Sequence, residues 1–171
     1  MFSYDPYAEL ATLRDFAPLT VTSTDIAEGQ PLPKAQWGSA GGGSDISPQL
    51  SWSGAPEGTK SFAVSCFDPD APTGSGFWHW AVYNLPADVT SLDTGDDRPS
   101  AGIALRNESG EPGFIGAGPP PGTGVHRYFF VVDALDTVLE LPEGATPAIL
   151  GFNRHFHALA RGILVATATS D

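Results

Sequence analysis

Three stretches of this chain alternate. From Lys60 to Asp68, Phe62, Val64 and Cys66 fall on every second position and the run ends on Asp68. Period-two alternation puts these side chains on one face of a β-strand. Phe77 to Leu85 alternates as well: Phe77, His79, Ala81 and Tyr83 share one face, and Trp78, Trp80 and Val82 the other. His126 to Leu135 is the third, with His126, Tyr128, Phe130, Val132 and Ala134 in phase. Large apolar groups occupy both faces, which predicts strands covered on both sides, as in the central sheet of a sandwich. Shorter strands are predicted at Leu19 to Thr24 and Ile163 to Thr169.

Near residue 146 the period changes. Ile149, Phe152, Phe156 and Leu159 recur at helical spacing and predict a helix with one apolar stripe. Thr146 suits its N-cap, Pro147 its first turn and Gly162 its end. Residues 38–47 hold Gly38, Gly41, Gly42, Gly43 and Ser44 and read as a loop. Irregularly spaced strands joined by long Gly/Pro loops, with one or two short helices late in the chain, predict a mostly β fold. A Greek-key β-sandwich over residues 19–171 fits better than a βαβ unit. Residues 1–18 read as a mobile or lightly packed N-terminal arm. Its Phe2, Tyr4, Tyr7 and Leu10 either bridge a homodimer or fold onto the chain's own sandwich.

Composition narrows the function. The chain has 171 residues, 41% hydrophobic and 16% charged, which suits one globular domain. Its 20 Gly and 16 Pro show no short period and fit many turns. Eight basic residues against 20 acidic ones give a net charge of -12. Such a surface repels nucleic acid and anionic lipid, so a bound phosphate needs a local site. Cys66 is the single cysteine, which excludes an intramolecular disulfide. No leader-like apolar segment opens the chain, and no stretch reaches the ~20 apolar residues of a membrane span. A cytoplasmic protein is expected.

Candidate chemistry gathers in three segments. In Asp68-Pro69-Asp70-Ala71-Pro72 two prolines hold two carboxylates in place, though a plain Pro/Asp turn would look the same. In Phe77-Trp78-His79-Trp80 a histidine lies between indoles. It could be a satisfied core residue, or a ring that donates from one nitrogen and accepts at the other. In Gly118-Pro119-Pro120-Pro121-Gly122-Thr123-Gly124-Val125-His126-Arg127-Tyr128 the prolines make a stiff wall and the glycines admit a ligand close to backbone. His126 and Tyr128 project together, while Arg127, out of phase, is expected in a structural ion pair. His155 and His157 are two apart, not the i, i+4 spacing of a helical metal pair. No Gly-x-Ser-x-Gly elbow occurs, and Cys66 falls on an apolar face, so no nucleophile stands out.

These segments, in this order, resemble the signatures of the phosphatidylethanolamine-binding protein family. Ser47-Pro48-Gln49-Leu50-Ser51-Trp52 resembles the strand before the first signature. Asn84-Leu85-Pro86 and Leu150-Gly151-Phe152-Asn153 resemble the bacterial, Raf kinase inhibitor-like branch. The resemblance spans roughly Leu19 to Thr169 and implies a sandwich with a small cavity at one end. Such cavities take phosphate, acetate or the phosphatidylethanolamine head group. Carried over position by position, it implies ligand contacts at Asp68, His79, Gly118, Pro119, Pro120, His126 and Tyr128. Asp70, Pro72, Trp78 and Arg127 would support them. It implies a non-enzymatic binding protein, a regulator in some relatives, with no cofactor or metal. Its partner would be a small anion or a phospholipid head group. An inhibitor of a kinase or protease is the alternative, and a small hydrolase ranks behind both. Asp68 would orient a histidine or meet an ammonium group, and the two histidines and Tyr128 would donate to the anion. The sequence as it stands closes the last predicted strand with only Ala168-Thr169-Ser170-Asp171, where mammalian relatives carry a further helix, so a more open pocket is expected.

Overall fold

The computed structural model describes residues 3–170. Its elements are α1 (Pro6–Leu13), β1 (Ala17–Pro18), β2 (Thr20–Thr22), β3 (Leu50–Ser53), β4 (Ser61–Asp68), β5 (Phe77–Pro86), β6 (Ser91–Leu92), β7 (Ile103–Ala104), β8 (His126–Leu135), α2 (Pro147–His157) and β9 (Ala158–Ala168). Six strands form one sheet in the order β1-β9-β8-β4-β5-β7, and three form a second in the order β2-β3-β6. β8 pairs with the edge of β4 away from β5 only after the long connection from Pro86 to His126. This is the Greek-key sandwich that the strand pattern predicts.

Both faces of the large sheet are covered. Phe62, Val64, Cys66, Trp80, Val82, Phe130 and Val132 meet Leu50, Trp52 and Leu92 of the small sheet in the main core. On the other face, Ala63, Ala81, Tyr83, Leu135 and Ala158 pack under Leu150 of α2, and Phe129 and Val131 under Tyr7 of α1. Each fully buried large apolar side chain contributes about 1.5–3 kcal/mol.

The N-terminal segment differs from the expected loose arm. Asp5 caps α1, its Oδ1 accepting from Tyr7 N at 2.9 Å and Ala8 N at 3.0 Å, and Pro6 opens the first turn. Tyr7 is buried, its ring 5.5 Å from that of Phe129. Tyr4 is exposed, and Phe2 lies outside the described residues.

Helix α2 starts as expected on Thr146 and Pro147 but ends at His157, with no loop before β9. From Ala158 onward alternate residues are buried, and the two-residue period overrides the helical one. Gly162 therefore does not stop a helix. It sits inside β9, where a Cβ would stand 2.3 Å from the Leu19 carbonyl oxygen, so the crossing chain demands glycine. The supposed apolar stripe faces outward: Phe152 is 68% exposed and Phe156 56%. The buried side of α2 is Pro147, Leu150 and Arg154 instead. Arg154 is drawn inward by Asp133, which is 0% exposed and also binds Arg161 through two 2.7 Å hydrogen bonds.

Two bulges interrupt the β4–β5 ladder. The first leaves Asn84 at a φ of 57°, and its side chain both accepts from Leu139 N and donates to Leu139 O. The second inserts His79 between the pairs Phe67–Trp78 and Cys66–Trp80. A bulge residue shifts the phase of everything beyond it. His79 thus comes to the face of Tyr128, their rings 5.0 Å apart, instead of staying opposite Trp80. Trp78 lies on the far side, stacked on Phe67 at 4.4 Å.

Candidate functional site

At the end of the large sheet where β4 stops and β8 starts, a cavity of about 360 Å³ opens. Its wall includes Asp68, His79, Gly118, Pro120, His126 and Tyr128, six of the seven expected ligand positions. Pro119 is buried and lies behind that wall. Of the expected supports, Pro72 lines the cavity while Asp70, Trp78 and Arg127 do not.

Each side chain is held by its own element. Asp68 ends β4 with Oδ1 accepting from Asp70 N at 2.8 Å and Oδ2 2.7 Å from His126 Nδ1. Burial pushes the Asp68 carboxyl up, and the hydrogen bond to His126 pulls it back. Nε2 of His126 is 2.8 Å from Thr123 Oγ1, so both ring nitrogens are already bonded. Asp70 grips the next residue along β8. It accepts from Arg127 N at 3.0 Å, Nε at 2.7 Å and Nη2 at 3.0 Å. This forked pair is the structural ion pair expected of Arg127, and it fixes the start of β8.

His79 Nδ1 is 2.8 Å from the Ile115 carbonyl oxygen. A carbonyl only accepts, so Nδ1 carries the proton. Burial holds the ring's pKa down at about 4, against the hydrogen bonds to backbone that would raise it. His79 is therefore neutral near pH 7, with a lone pair at Nε2. The Tyr128 hydroxyl is buried without a hydrogen-bond partner. Burial raises its phenol pKa, with the Asp68 charge adding to the effect and the nearby Gly118 backbone opposing it without reaching hydrogen-bond geometry. Cys66, expected in the core, is fully buried and its thiol is likewise pushed up.

One wall comes from residues that sequence reading passed over as a loop. Gly38, Ser39, Gly41 and Asp45 line the cavity. Asp45 Oδ1 accepts from Gly116 N at 2.8 Å and Oδ2 from Ser39 N at 2.9 Å, which ties the loop to the strand-like stretch before Gly118. Backbones touch along this seam: a Cβ on Gly116 would stand 2.2 Å from the Trp37 carbonyl carbon. Lys34 lies over the Trp37 ring at 3.6 Å and donates to Gly41 O at 3.3 Å, which puts a cation behind the rim. The signal was the glycine cluster beside an aspartate, since Asp tolerates the positive φ of 54° that Asp45 adopts.

Comparison with known proteins now has a geometry to meet. The profile of the phosphatidylethanolamine-binding protein family matches residues 22–169. The chain belongs to the phosphatidylethanolamine-binding protein family. The UPF0098 protein YbhB of Escherichia coli is 45% identical over 156 residues, covering 86% of this chain and 98% of that protein. The crystal structure of E. coli YbcL, described as a new member of the mammalian PEBP family, superposes with a TM-score of 0.85 at 40% identity. It covers 91% of this chain and all of that one (100%). A phosphatidylethanolamine-binding protein homologue from Chlamydia trachomatis gives a TM-score of 0.78 at 34% identity, covering 90% of this chain and 99% of that one. All the expected phosphatidylethanolamine-binding protein signature segments lie within the matched span. Among the described residues no helix is long and apolar enough to cross a membrane, and no three His, Cys, Asp or Glu side chains converge to hold a metal.

Proposed function

We propose that this chain is a non-enzymatic binding protein whose cavity takes a small phosphate-like oxyanion, free or as a phospholipid head group. The observation that carries the reading is the buried, unpartnered Tyr128 hydroxyl beside the open Nε2 of His79. A buried polar group without a partner costs about 1–3 kcal/mol, which a bound oxyanion oxygen would recover. His126 serves in this reading as the strut between Asp68 and Thr123, presenting its ring edge to the ligand.

The run Asp68–His126–Thr123 has the order of a hydrolytic triad. Thr123 is not on the cavity wall, however, and its hydroxyl donates to Pro120 O at 2.7 Å. That proton is engaged with a carbonyl rather than released to the histidine, so the relay positions and does not attack. A cytoplasmic place goes with this proposal, although one relative, from Mycobacterium tuberculosis and 36% identical over 148 residues, carries the name lipoprotein LppC.

Calorimetric titration of phosphate and phosphoethanolamine tests the reading, with wild type beside Tyr128→Phe and His126→Ala. Binding that both variants weaken by about tenfold or more supports it, a factor of ten being about 1.4 kcal/mol. Binding unchanged in both variants would place the ligand elsewhere. Turnover of a chromogenic ester that His126→Ala abolishes would replace it with a hydrolase.

A further inference from the structure

Nearly every polar side-chain atom on the cavity wall is already engaged. Asp68 accepts from Asp70 N at Oδ1 and lies 2.7 Å from His126 at Oδ2. Asp45 accepts from Gly116 N and Ser39 N. His126 is bonded at both nitrogens. The Thr73 hydroxyl donates to Gly76 O at 2.6 Å. Two buried groups remain open, apart from the exposed Ser39 hydroxyl at the rim. One is the Tyr128 hydroxyl, a donor with no partner. The other is His79 Nε2, an acceptor because Nδ1 holds the proton against Ile115 O. No Lys or Arg is on the wall, whereas two carboxylates are, the one at Asp68 already paired with His126. The open pair therefore matches a ligand that brings one acceptor and one donor, with as little charge as it can carry.

Resting on the anion-pocket reading, we infer that the cavity selects a phosphoryl group that still carries a proton, a phosphomonoester monoanion in preference to a phosphodiester. The P–OH donates to His79 Nε2, and a P–O oxygen accepts from the Tyr128 hydroxyl. A dianion would set a charged oxygen against the His79 lone pair, in a cavity whose wall also carries Asp68 and Asp45. A diester has no P–OH to give.

A diester oxygen could take a hydrogen bond at Nε2 only if His79 were protonated. Tyr128 on β8 and Phe77 on its own strand lie against this ring at 5.0 and 4.7 Å, and His126, Asp68 on β4 and Asp45 on the glycine loop share the cavity wall with it. The Ile115 and Gly116 backbone favours a charged ring. His126 and burial oppose it, and burial is the largest influence. The proton therefore comes with the ligand or from the buffer. A phosphomonoester loses its second proton near pH ~6. Below that pH it binds as the monoanion with no proton exchanged. Above it, each dianion bound takes up one proton, shared along the hydrogen bond between the P–O oxygen and His79 Nε2.

The test is calorimetry on the full chain with phosphoethanolamine, a monoester, and glycerophosphoethanolamine, a diester bearing the same ammonium group. Titrations run from about pH 5 to about pH 8 in two buffers of different ionisation heat. The monoester should weaken about tenfold per unit above pH ~6, with uptake approaching one proton, and the diester should bind at least about tenfold more weakly at pH ~6. His79→Gln, whose amide can donate, should abolish the uptake and narrow the gap between the ligands. Equal affinity for the two ligands, or monoester binding without proton uptake at pH ~8, would overturn the inference and leave the anion pocket standing. Silence from both ligands at every pH would instead overturn the pocket reading itself, and this inference with it.

Discussion

Replacing Gly116 with alanine should unseat a wall of the cavity. The added Cβ would stand 2.2 Å from Trp37 C, 2.4 Å from Gly38 N and 2.5 Å from Trp37 O. All three are backbone atoms, so no side chain can swing away and the loop at 37–45 must retreat. Three hydrogen bonds cross this seam. They are Gly38 N to Ala117 O at 2.8 Å, Ala117 N to Gln36 O at 3.0 Å, and Gly116 N to Asp45 Oδ1 at 2.8 Å. Two neutral bonds at about 1 kcal/mol each and one to a carboxylate at about 2 kcal/mol sum to about 4 kcal/mol if all are lost. Against a total stability of about 5–15 kcal/mol, the chain should still fold, with a lower midpoint. Urea titration of wild type and Gly116→Ala reads the loss directly, with the slope checking that unfolding stays two-state. Gly118→Ala is the control. No atom lies within 4 Å of a Cβ there, so stability should change by about 0.5 kcal/mol or less. If Gly116→Ala costs less than about 1 kcal/mol and binds phosphate as wild type does, the seam does not hold the wall and the reasoning fails.

Asp133→Asn should destabilise by about 3–5 kcal/mol, because two buried guanidinium groups lose their shared carboxylate; a shift under about 1 kcal/mol in a denaturant midpoint would refute this. Tyr128→Phe removes a buried hydroxyl without a partner, so thermal stability should hold or rise even as phosphate binding drops, and a clear loss of stability would show that the hydroxyl is bonded within the protein. His79 has a pKa of 6.5 unfolded and about 4 folded. Between these values the unfolded chain holds the extra proton, so stability rises with pH from about 4 to about 6.5 and is lost on acidification. The lowered value corresponds to about 3 kcal/mol across that window. Denaturant midpoints against pH should be steeper there for wild type than for His79→Phe, and parallel curves would sink the claim.

Much of the scaffold was legible because local pattern and final packing agree. β8 runs from His126 to Leu135, as its alternation predicts, and each of its residues finds a partner along β9 or β4. Arg127 was assigned to an ion pair from its phase alone, and Asp70 supplies that pair. Errors arose where distant contacts decide. Asp5-Pro6 was a readable helix start, but a short helix gains its stability by setting Tyr7 against Phe129, which no local window shows. The outward Phe152 and Phe156 were misplaced because a buried aspartate, 0% exposed and on another strand, claims Arg154. The cavity was legible as three segments, whereas its fourth wall is a glycine loop whose role depends on one backbone touching another.

The bulge at His79 also makes scaffold and site separable. Without that one residue, Trp78 and Trp80 would be consecutive, and this end of the β4–β5 ladder could close as a regular pair. The sandwich would keep its strand order while the cavity lost its acceptor. The proposed binding chemistry therefore resides in an irregularity of the ladder, while the outline of the sandwich does not depend on it.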